Sequence, residues 1–390
     1  MKIVMLGHKR IPSREGGVEI VVEELAVRMV ALGHNVTVYN RKGHHVSGAE
    51  NELTAYQKKY DYKGVHVETV PTSQKKSLNA LVYSFLATLR ACFTHTDIIH
   101  FHAEGPCAML PIAKLFHKNC VATIHGLDWQ RAKWGGFATK FLLFGEKMAA
   151  KHADVLIVLS KGVQQYFLDT YQRETVLIPN GIEEKEMVPA EIIYKKYGLQ
   201  ENSYLLFLAR LVPEKGAHTL LAAYEKCNIK LPLVIAGGSS HSDEYQQQIK
   251  KMAEKINLSE HTSGKQVILT GFVQGKELEE LYSNCMLYIL PSEIEGMPLS
   301  LLEAMSYGKL CLTSDIQENT DVTDGHGICF INKNVDSLTA VVNDVIMRQR
   351  ELRAKEEYCS NTIKASVSER FNWNQIVKRT LQCYESINCK

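Results

Sequence analysis

The feature that most constrains this chain is a rhythm that runs through it twice. Short apolar runs rich in Val, Ile and Leu alternate with longer stretches whose apolar residues recur at helical spacing. In the first half the runs are KIVMLG, NVTVYN, VHVETV, DIIHFH, CVATIHG, DVLIVLS and TVLIPNG. In the second they are YLLFLAR, LPLVIAGG, QVILTGF, CMLYILPS, LCLTSD and GICFIN. Strands this uniformly apolar need cover on both faces, which a parallel sheet flanked by helices supplies. Strand–helix alternation, met twice, predicts two doubly wound α/β domains. The first helix, VEIVVEELAVRMVALG, closes on Gly33, and the polar passage NGIEEKEMVPAEIIYKKYG separates the two halves. A length of 390 residues suits such a division, with a full core in each part. The expected bounds are 1–182 and 183–367, followed by a helical tail over 368–390.

In sheets of this kind ligands bind beyond the carboxyl ends of the strands, so two facing domains are expected to hold a ligand in a central cleft. Three loops occupy that position. The first is GHKRIPSREGGVE, where Gly16 and Gly17 enter a helix and let backbone approach an anion closely; a plain turn explains the pair equally well. It does not match G-x-G-x-x-G, which weakens a nicotinamide reading. The second is FLARLVPEKG, where Arg210 and Lys215 lie five apart across a turn shaped by Pro213 and Gly216. Two cations from one loop suit a diphosphate, Arg as a planar fork and Lys as a point charge; two solvated surface cations are the bland alternative. The third is PSEIEGMPLSLLEAMSYG, where Pro298 sits at a helix start and Gly308 at its end. The amides of Gly296, Met297 and Leu299 are expected to aim along the helix dipole at an anion. A carboxylate beside such a seat is unhelpful unless it accepts hydrogen bonds from hydroxyls, as those of a ribose or hexose provide. Glu295 and Glu303 therefore fit a nucleotide-sugar better than a bare phosphate.

Bulk properties narrow the classes of partner. The balance of 45 basic and 43 acidic residues lacks the basic excess expected of a nucleic-acid binder. Ten cysteines stand singly without C-x-x-C spacing, several inside apolar runs, and read as reduced core residues of a reducing cytosol. The apolar run at the start is too short for a signal peptide, and no stretch approaches the roughly 20 apolar residues that span a bilayer. The expectation is a soluble, cytoplasmic protein.

Taken together, these motifs resemble those of the retaining, GT-B-fold glycosyltransferases of family 4. PSEIEGMPLSLLEAMSYG resembles that family's E-x7-E element, ARLVPEKG its phosphate-binding turn, IPNGI the end of its N-terminal domain and GGVE its first glycine loop. The four motifs follow the family's order over nearly the whole chain. IHGLDWQRAKWG and EGGVEIVVEEL further resemble a branch of bacterial cell-surface rhamnosyl- and hexosyltransferases. The resemblance implies an N-terminal acceptor-binding domain, a C-terminal nucleotide-sugar-binding domain and a tail helix that crosses back to the former. It implies that Glu303 holds the ribose hydroxyls and that Glu295 bonds the donor sugar, with Gly296, Met297, Pro298 and Leu299 lining its approach. Arg210 and Lys215 then neutralise the diphosphate, Gly17 with Gly16 brings backbone near phosphate or acceptor, and His125 contacts the sugar near the reacting carbon. Gly126 stands where many relatives carry an aspartate, and Asp128 is the nearest replacement.

The implied reaction moves a sugar from a UDP-, dTDP- or GDP-sugar to an acceptor hydroxyl with retained configuration, in cell-surface polysaccharide or glycolipid synthesis. No metal or other cofactor is expected, because fixed cations and helix amides serve instead; His100, His102, His44 and His45 are discounted as ligands on that ground. The acceptor is a saccharide or lipid-linked saccharide. QKKSLNALVYSFLATLRACF reads first as an amphipathic core helix and second as a membrane-surface face at the inner side of the cell membrane. Trp129 and Trp134 suit stacking on an acceptor sugar as well as core packing. Two rival functions remain: a GT-B sugar-nucleotide epimerase, which forms product from the nucleotide-sugar alone, and a non-catalytic subunit that binds donor without turnover.

Overall fold

The computed structural model describes residues 1–14, 16–42, 58–73, 75–130, 136–238, 243–259 and 264–388. The chain divides into two units, Met1–Gly181 with Trp373–Lys390, and Ile182–Asn372.

The first unit is built on an eight-stranded sheet of β1 (Lys2–Leu6), β2 (Asn35–Arg41), β3 (Lys59–Tyr62), β4 (Val65–Val70), β5 (Ile98–His102), β6 (Cys120–Ile124), β7 (Val155–Val158) and β8 (Val176–Leu177). Their order is β3-β4-β2-β1-β5-β6-β7-β8. Every pairing is parallel except β3 with β4. β3 is the strand that apolar pattern does not show. Its sequence KYDY alternates exposed and half-buried residues at the sheet edge, so it never had to be apolar. The two-residue turn into β4, Lys63–Gly64, has φ of 49° and 80°. Positive φ at both positions marks the tight hairpin whose twist matches its strands.

The second unit carries a six-stranded, wholly parallel sheet of β9 (Leu205–Leu208), β10 (Leu233–Ala236), β11 (Val267–Gly271), β12 (Leu287–Leu290), β13 (Cys311–Ser314) and β14 (Ile328–Phe330). Its order is β11-β10-β9-β12-β13-β14. All four residues of β10, β12 and β13 are buried, as strands covered on both faces must be.

The polar passage after Gly181 is ordered by helix Lys276–Asn284. Glu280 accepts hydrogen bonds from the backbone N–H groups of Glu191, Ile192 and Ile193 at 3.0, 2.6 and 3.1 Å. It thereby satisfies the otherwise orphaned donors at the start of helix Ile192–Tyr197. The predicted tail is two helices, Ser360–Arg370 and Trp373–Asn388, parted at Phe371–Asn372. Seven of the nine described cysteines are buried; Cys329 is exposed and Cys359 half-buried, so the core assignment fails for those two. Among the described residues, no helix is long and apolar enough to cross a membrane.

Candidate functional site

In the second sheet the chain starts at β9, winds outward through β10 to β11, then returns beside β9 as β12 and winds the other way to β14. At such a reversal neighbouring loops leave in opposite directions and open a crevice beyond the carboxyl ends of the strands. The loops leaving β9 and β12 are FLARLVPEKG and PSEIEGMP, so two of the three predicted loops meet at this reversal.

They meet closely. The Glu293 N–H donates to the Glu214 carbonyl at 2.8 Å. Gly216 has φ of +71°, and a Cβ there would lie 2.1 Å from the Pro291 carbonyl oxygen. The side chains meet as well: Lys215 Nζ lies 2.5 Å from Glu295 Oε1, and the two side chains are 15% and 5% exposed. Spacing suggests Lys215 as one of two cations on one loop; the structure pairs it with Glu295, the glutamate that the resemblance assigns to the sugar. A carboxylate this buried requires such a partner. Arg210 is half-buried immediately after β9, and its carbonyl accepts from the Val212 N–H at 2.9 Å. Glu293 faces Lys333 at 3.1 Å and His218 at 3.8 Å.

The helix after β12 spans Leu299–Ser306. Pro298 was expected in its first turn and is instead the N-cap, in extended conformation and without a side-chain cap bond. The first intrahelical donors are Leu301 and Leu302, both to the Pro298 carbonyl, which leaves the Leu299 and Ser300 amides ahead of the ladder. Gly296 is buried, and Met297 and Leu299 pack against the core beneath. Gly308 ends the helix with φ of +68°. Glu303 is half-buried in the helix and accepts from the Tyr282 hydroxyl at 2.9 Å. Tyr282 stacks on Tyr307 with ring centroids 5.6 Å apart, and burial pushes its phenol well above the ordinary range. Sequence reasoning missed Tyr282, because a tyrosine at a core position of a helix looks like packing alone.

The first unit repeats the reversal between β1 and β5. Gly7, with φ of +113°, lets the two loops touch: a Cβ there would lie 2.1 Å from the His102 carbonyl oxygen. Gly16 is the extended N-cap of helix Gly17–Ala31, and Gly17, its first residue, is exposed. Glu19 orders this loop by accepting the Lys9 N–H at 2.9 Å.

His125 follows β6 and is half-buried, with Nε2 3.1 Å from Nδ1 of the buried His102. His100 bonds the Tyr384 hydroxyl through Nδ1 and Thr123 Oγ1 through Nε2, each at 2.7 Å. Burial lowers His100 to about 3 and His8 to about 4. Among the described residues, no group of three side chains is placed to hold a metal ion. His44, His45 and Trp134 lie outside the described residues. Trp129, in the turn Asp128–Gln130, donates its indole N–H to the buried Glu146 at 3.0 Å, so that group is engaged within the unit. Glu146 also accepts from Tyr166 and Tyr171 at 2.8 and 2.5 Å. Beside it Glu104 is fully buried, and burial first, then the charges of Asp128 and Glu146, raise its carboxyl far above the usual carboxylate range.

Two family models match this chain: "Glycosyltransferase Family 4" over residues 15–186 and "Glycosyl transferases group 1" over residues 190–364. Among curated relatives, the GDP-mannose-dependent alpha-(1-6)-phosphatidylinositol monomannoside mannosyltransferase of Mycolicibacterium smegmatis is 24% identical over 367 residues. That alignment covers 88% of this chain and 89% of the relative. Among solved structures, sucrose-phosphate synthase from Thermosynechococcus elongatus superposes with a TM-score of 0.81 at 19% identity, covering 100% of this chain and 99% of that one. Anabaena HepE in complex with UDP and glucose gives 0.78 at 18% identity, covering 99% and 100%. The two models together account for most of the chain, the solved neighbours share its fold, and the protein belongs to the GT-B glycosyltransferases of family 4.

Proposed function

We propose that this glycosyltransferase takes its sugar from a nucleotide-diphosphate donor, UDP-, dTDP- or GDP-linked, and passes it to an acceptor hydroxyl with retained configuration. The observation that carries this reading is the convergence of Lys215, Glu295 and the uncapped start of helix Leu299–Ser306 at the β9/β12 reversal. Two similar proteins support it: HepE has been solved with UDP and glucose, and the mycobacterial mannosyltransferase is GDP-mannose-dependent by name. Glu303, its carboxylate oriented by Tyr282, holds the ribose hydroxyls. Glu295 bonds the donor sugar, and Gly296, Met297, Pro298 and Leu299 line its approach. Lys215, Arg210 and the helix amides meet the diphosphate, and His125 and the Gly16–Gly17 turn contact sugar, acceptor or phosphate.

In the reaction the bond from the anomeric carbon to the diphosphate oxygen breaks as the bond to the acceptor oxygen forms on the same face. The acceptor proton passes to the departing diphosphate. Negative charge grows on that group, and cations and helix amides held beside it stabilise the transition state. A thermal-shift screen with UDP-, dTDP- and GDP-sugars tests the reading, since a ligand at 100 times its Kd stabilises by about 2.7 kcal/mol. One donor is expected to raise the midpoint and Glu303→Ala to abolish the rise; an unchanged rise in that variant removes the ribose assignment.

A lipid-linked acceptor at a membrane surface fits the first unit. Helices Lys76–Phe93, Leu110–Leu115 and Phe137–His152 pack side by side. Outward they expose Phe85, Leu86, Phe93, Leu115, Phe137 and Phe144, interspersed with Lys75, Lys140, Lys147 and Lys151. The only carboxylates in residues 75–95, 104–119 and 136–152 are Glu104 and Glu146, and both are fully buried. Exposed apolar side chains and cations, with no exposed acid within those three segments, complement an anionic bilayer. Flotation with phosphatidylglycerol vesicles but not phosphatidylcholine vesicles is expected, with loss of binding in Phe137→Ser/Phe144→Ser; equal flotation with both lipids refutes the charge argument.

A further inference from the structure

The four histidines at the carboxyl ends of β1, β5 and β6 fall into two kinds. His8 is fixed by Asn40: the amide oxygen accepts the Ile11 N–H at 2.9 Å and the amide nitrogen donates to the Ile11 carbonyl at 2.9 Å. The oxygen therefore faces His8, so His8 Nε2, 3.0 Å away, carries the proton and Nδ1 is bare. His100 is held on both nitrogens by hydroxyls, which serve either tautomer. His8 and His100 are anchors. His102, like His8, is engaged through one nitrogen only, but its partner is another histidine rather than an amide of fixed orientation. Nδ1 meets His125, while Nε2 is buried without a hydrogen-bond partner.

That asymmetry decides where the protons are. His102 is fully buried, and burial, followed by the neighbouring His100, His125 and His8, drives its pKa well below the ordinary value. None of those neighbours is a carboxylate, so the ring is neutral and carries a single proton. Placed on Nε2, the proton is a buried N–H with no acceptor, and orphaned donors are rarer in folded proteins than orphaned acceptors. On Nδ1 it is donated to His125, and a bare nitrogen is left in the core. His125 then accepts through Nε2 and must keep its own proton on Nδ1. Charging His125 would set two N–H groups against each other across 3.1 Å unless His102 moved its proton to the unpartnered nitrogen.

We propose that His102 is a positioning residue, whose buried Nδ1–H locks His125 as a neutral imidazole with its proton on Nδ1. The lock makes His125 a hydrogen-bond donor through Nδ1 and removes it as a proton acceptor through Nε2. It rests on the reading above only for what receives that bond, a sugar hydroxyl oxygen. A neutral donor suits that position, since an imidazolium would oppose the positive charge that grows on the sugar ring during transfer.

Histidine-selective 15N NMR on the full chain tests the lock without any ligand, with His125 assigned by its loss in His125→Ala. In the wild type His125 Nε2 is expected in the unprotonated range and Nδ1 in the protonated range. His102→Leu removes the donor and should release a population protonated on Nε2. His102→Asn, whose amide N–H can replace Nδ1–H, should restore the wild-type pattern. With the donor sugar selected by the stabilisation screen, His102→Leu is expected to lower kcat about tenfold with little change in KM, and His102→Asn to recover most of it. A wild-type His125 protonated on Nε2 overturns the proposal, as do identical spectra for the Leu and Asn variants. If the lock is seen but His125→Ala leaves turnover unchanged, the sugar contact fails and the lock stands.

Discussion

The ion pair between Lys215 and Glu295 offers a quantitative test, because it joins two loops 80 positions apart in the chain. Lys215→Met leaves the Glu295 carboxylate, 5% exposed, without its ammonium. Halving a fully buried pair costs about 3–5 kcal/mol, whereas an exposed pair contributes about 0–1 kcal/mol. The 15% exposure of Lys215 places this pair between those limits, at about 2 kcal/mol. For a unit of this size each 1 kcal/mol moves the midpoint by about 2–4 °C, so the melting of the second unit should fall by about 4–8 °C. Glu295→Leu removes the carboxylate instead and is expected to fall somewhat less, since Lys215 reaches water. In the double variant Lys215→Met/Glu295→Leu both members of the pair are gone, and most of the loss should return. Calorimetry on the four proteins at one pH and salt concentration yields the coupling directly, expected at about 1.5–2 kcal/mol. A coupling below about 0.5 kcal/mol means that the two loops do not depend on each other through this contact, and the joint site loses its physical basis.

Three further outcomes follow from named contacts. Tyr282→Phe removes the hydroxyl that orients Glu303 and should weaken nucleotide-sugar binding about fivefold to tenfold in calorimetric titration while leaving the melting midpoint nearly in place. Gly216→Ala forces a Cβ to within 2.1 Å of the Pro291 carbonyl at a φ of +71°, and should cost at least about 2 kcal/mol in denaturant unfolding. Glu104→Gln tests the buried carboxyl. Its pKa is raised from 4.5 to about 10, so the folded state retains a proton that the unfolded chain loses. The stability it contributes is whole below about pH 4.5 and is lost as pH rises toward 10, at up to about 1.4 kcal/mol per pH unit. The glutamine variant, which has no proton to lose, should therefore gain on the wild type between pH 5 and pH 9; parallel stability curves would show that Glu104 ionises freely in the fold.

Much of this protein is written locally. Continuous apolar runs such as LYIL and LVIA predict strands covered on both faces, because a doubly covered strand has no position that tolerates a polar residue. Gly308 and Gly216 are legible for the same kind of reason: a helix end and a tight turn each need a left-handed residue, and that need is satisfied within a few positions. The order of the motifs is enough to point to the family. β3 escaped because an edge strand can alternate polar and apolar residues, and its Lys-Gly turn lacks the usual Asn-Gly signal.

What the sequence could not decide is which distant residues meet. Lys215 reads as one of two loop cations until β9 and β12 become neighbours and bring Glu295 to it. Tyr282 reads as core until its hydroxyl is seen on Glu303, and His102 as a discounted metal ligand until its engaged nitrogen is found facing His125. Backbone preferences act over a turn or a few residues, so the chain alone determined most of its elements, though not the edge strand β3 or the break in the tail at Phe371–Asn372. Charge compensation and proton placement act through space, and only the crossover of strands around each reversal point fixed them.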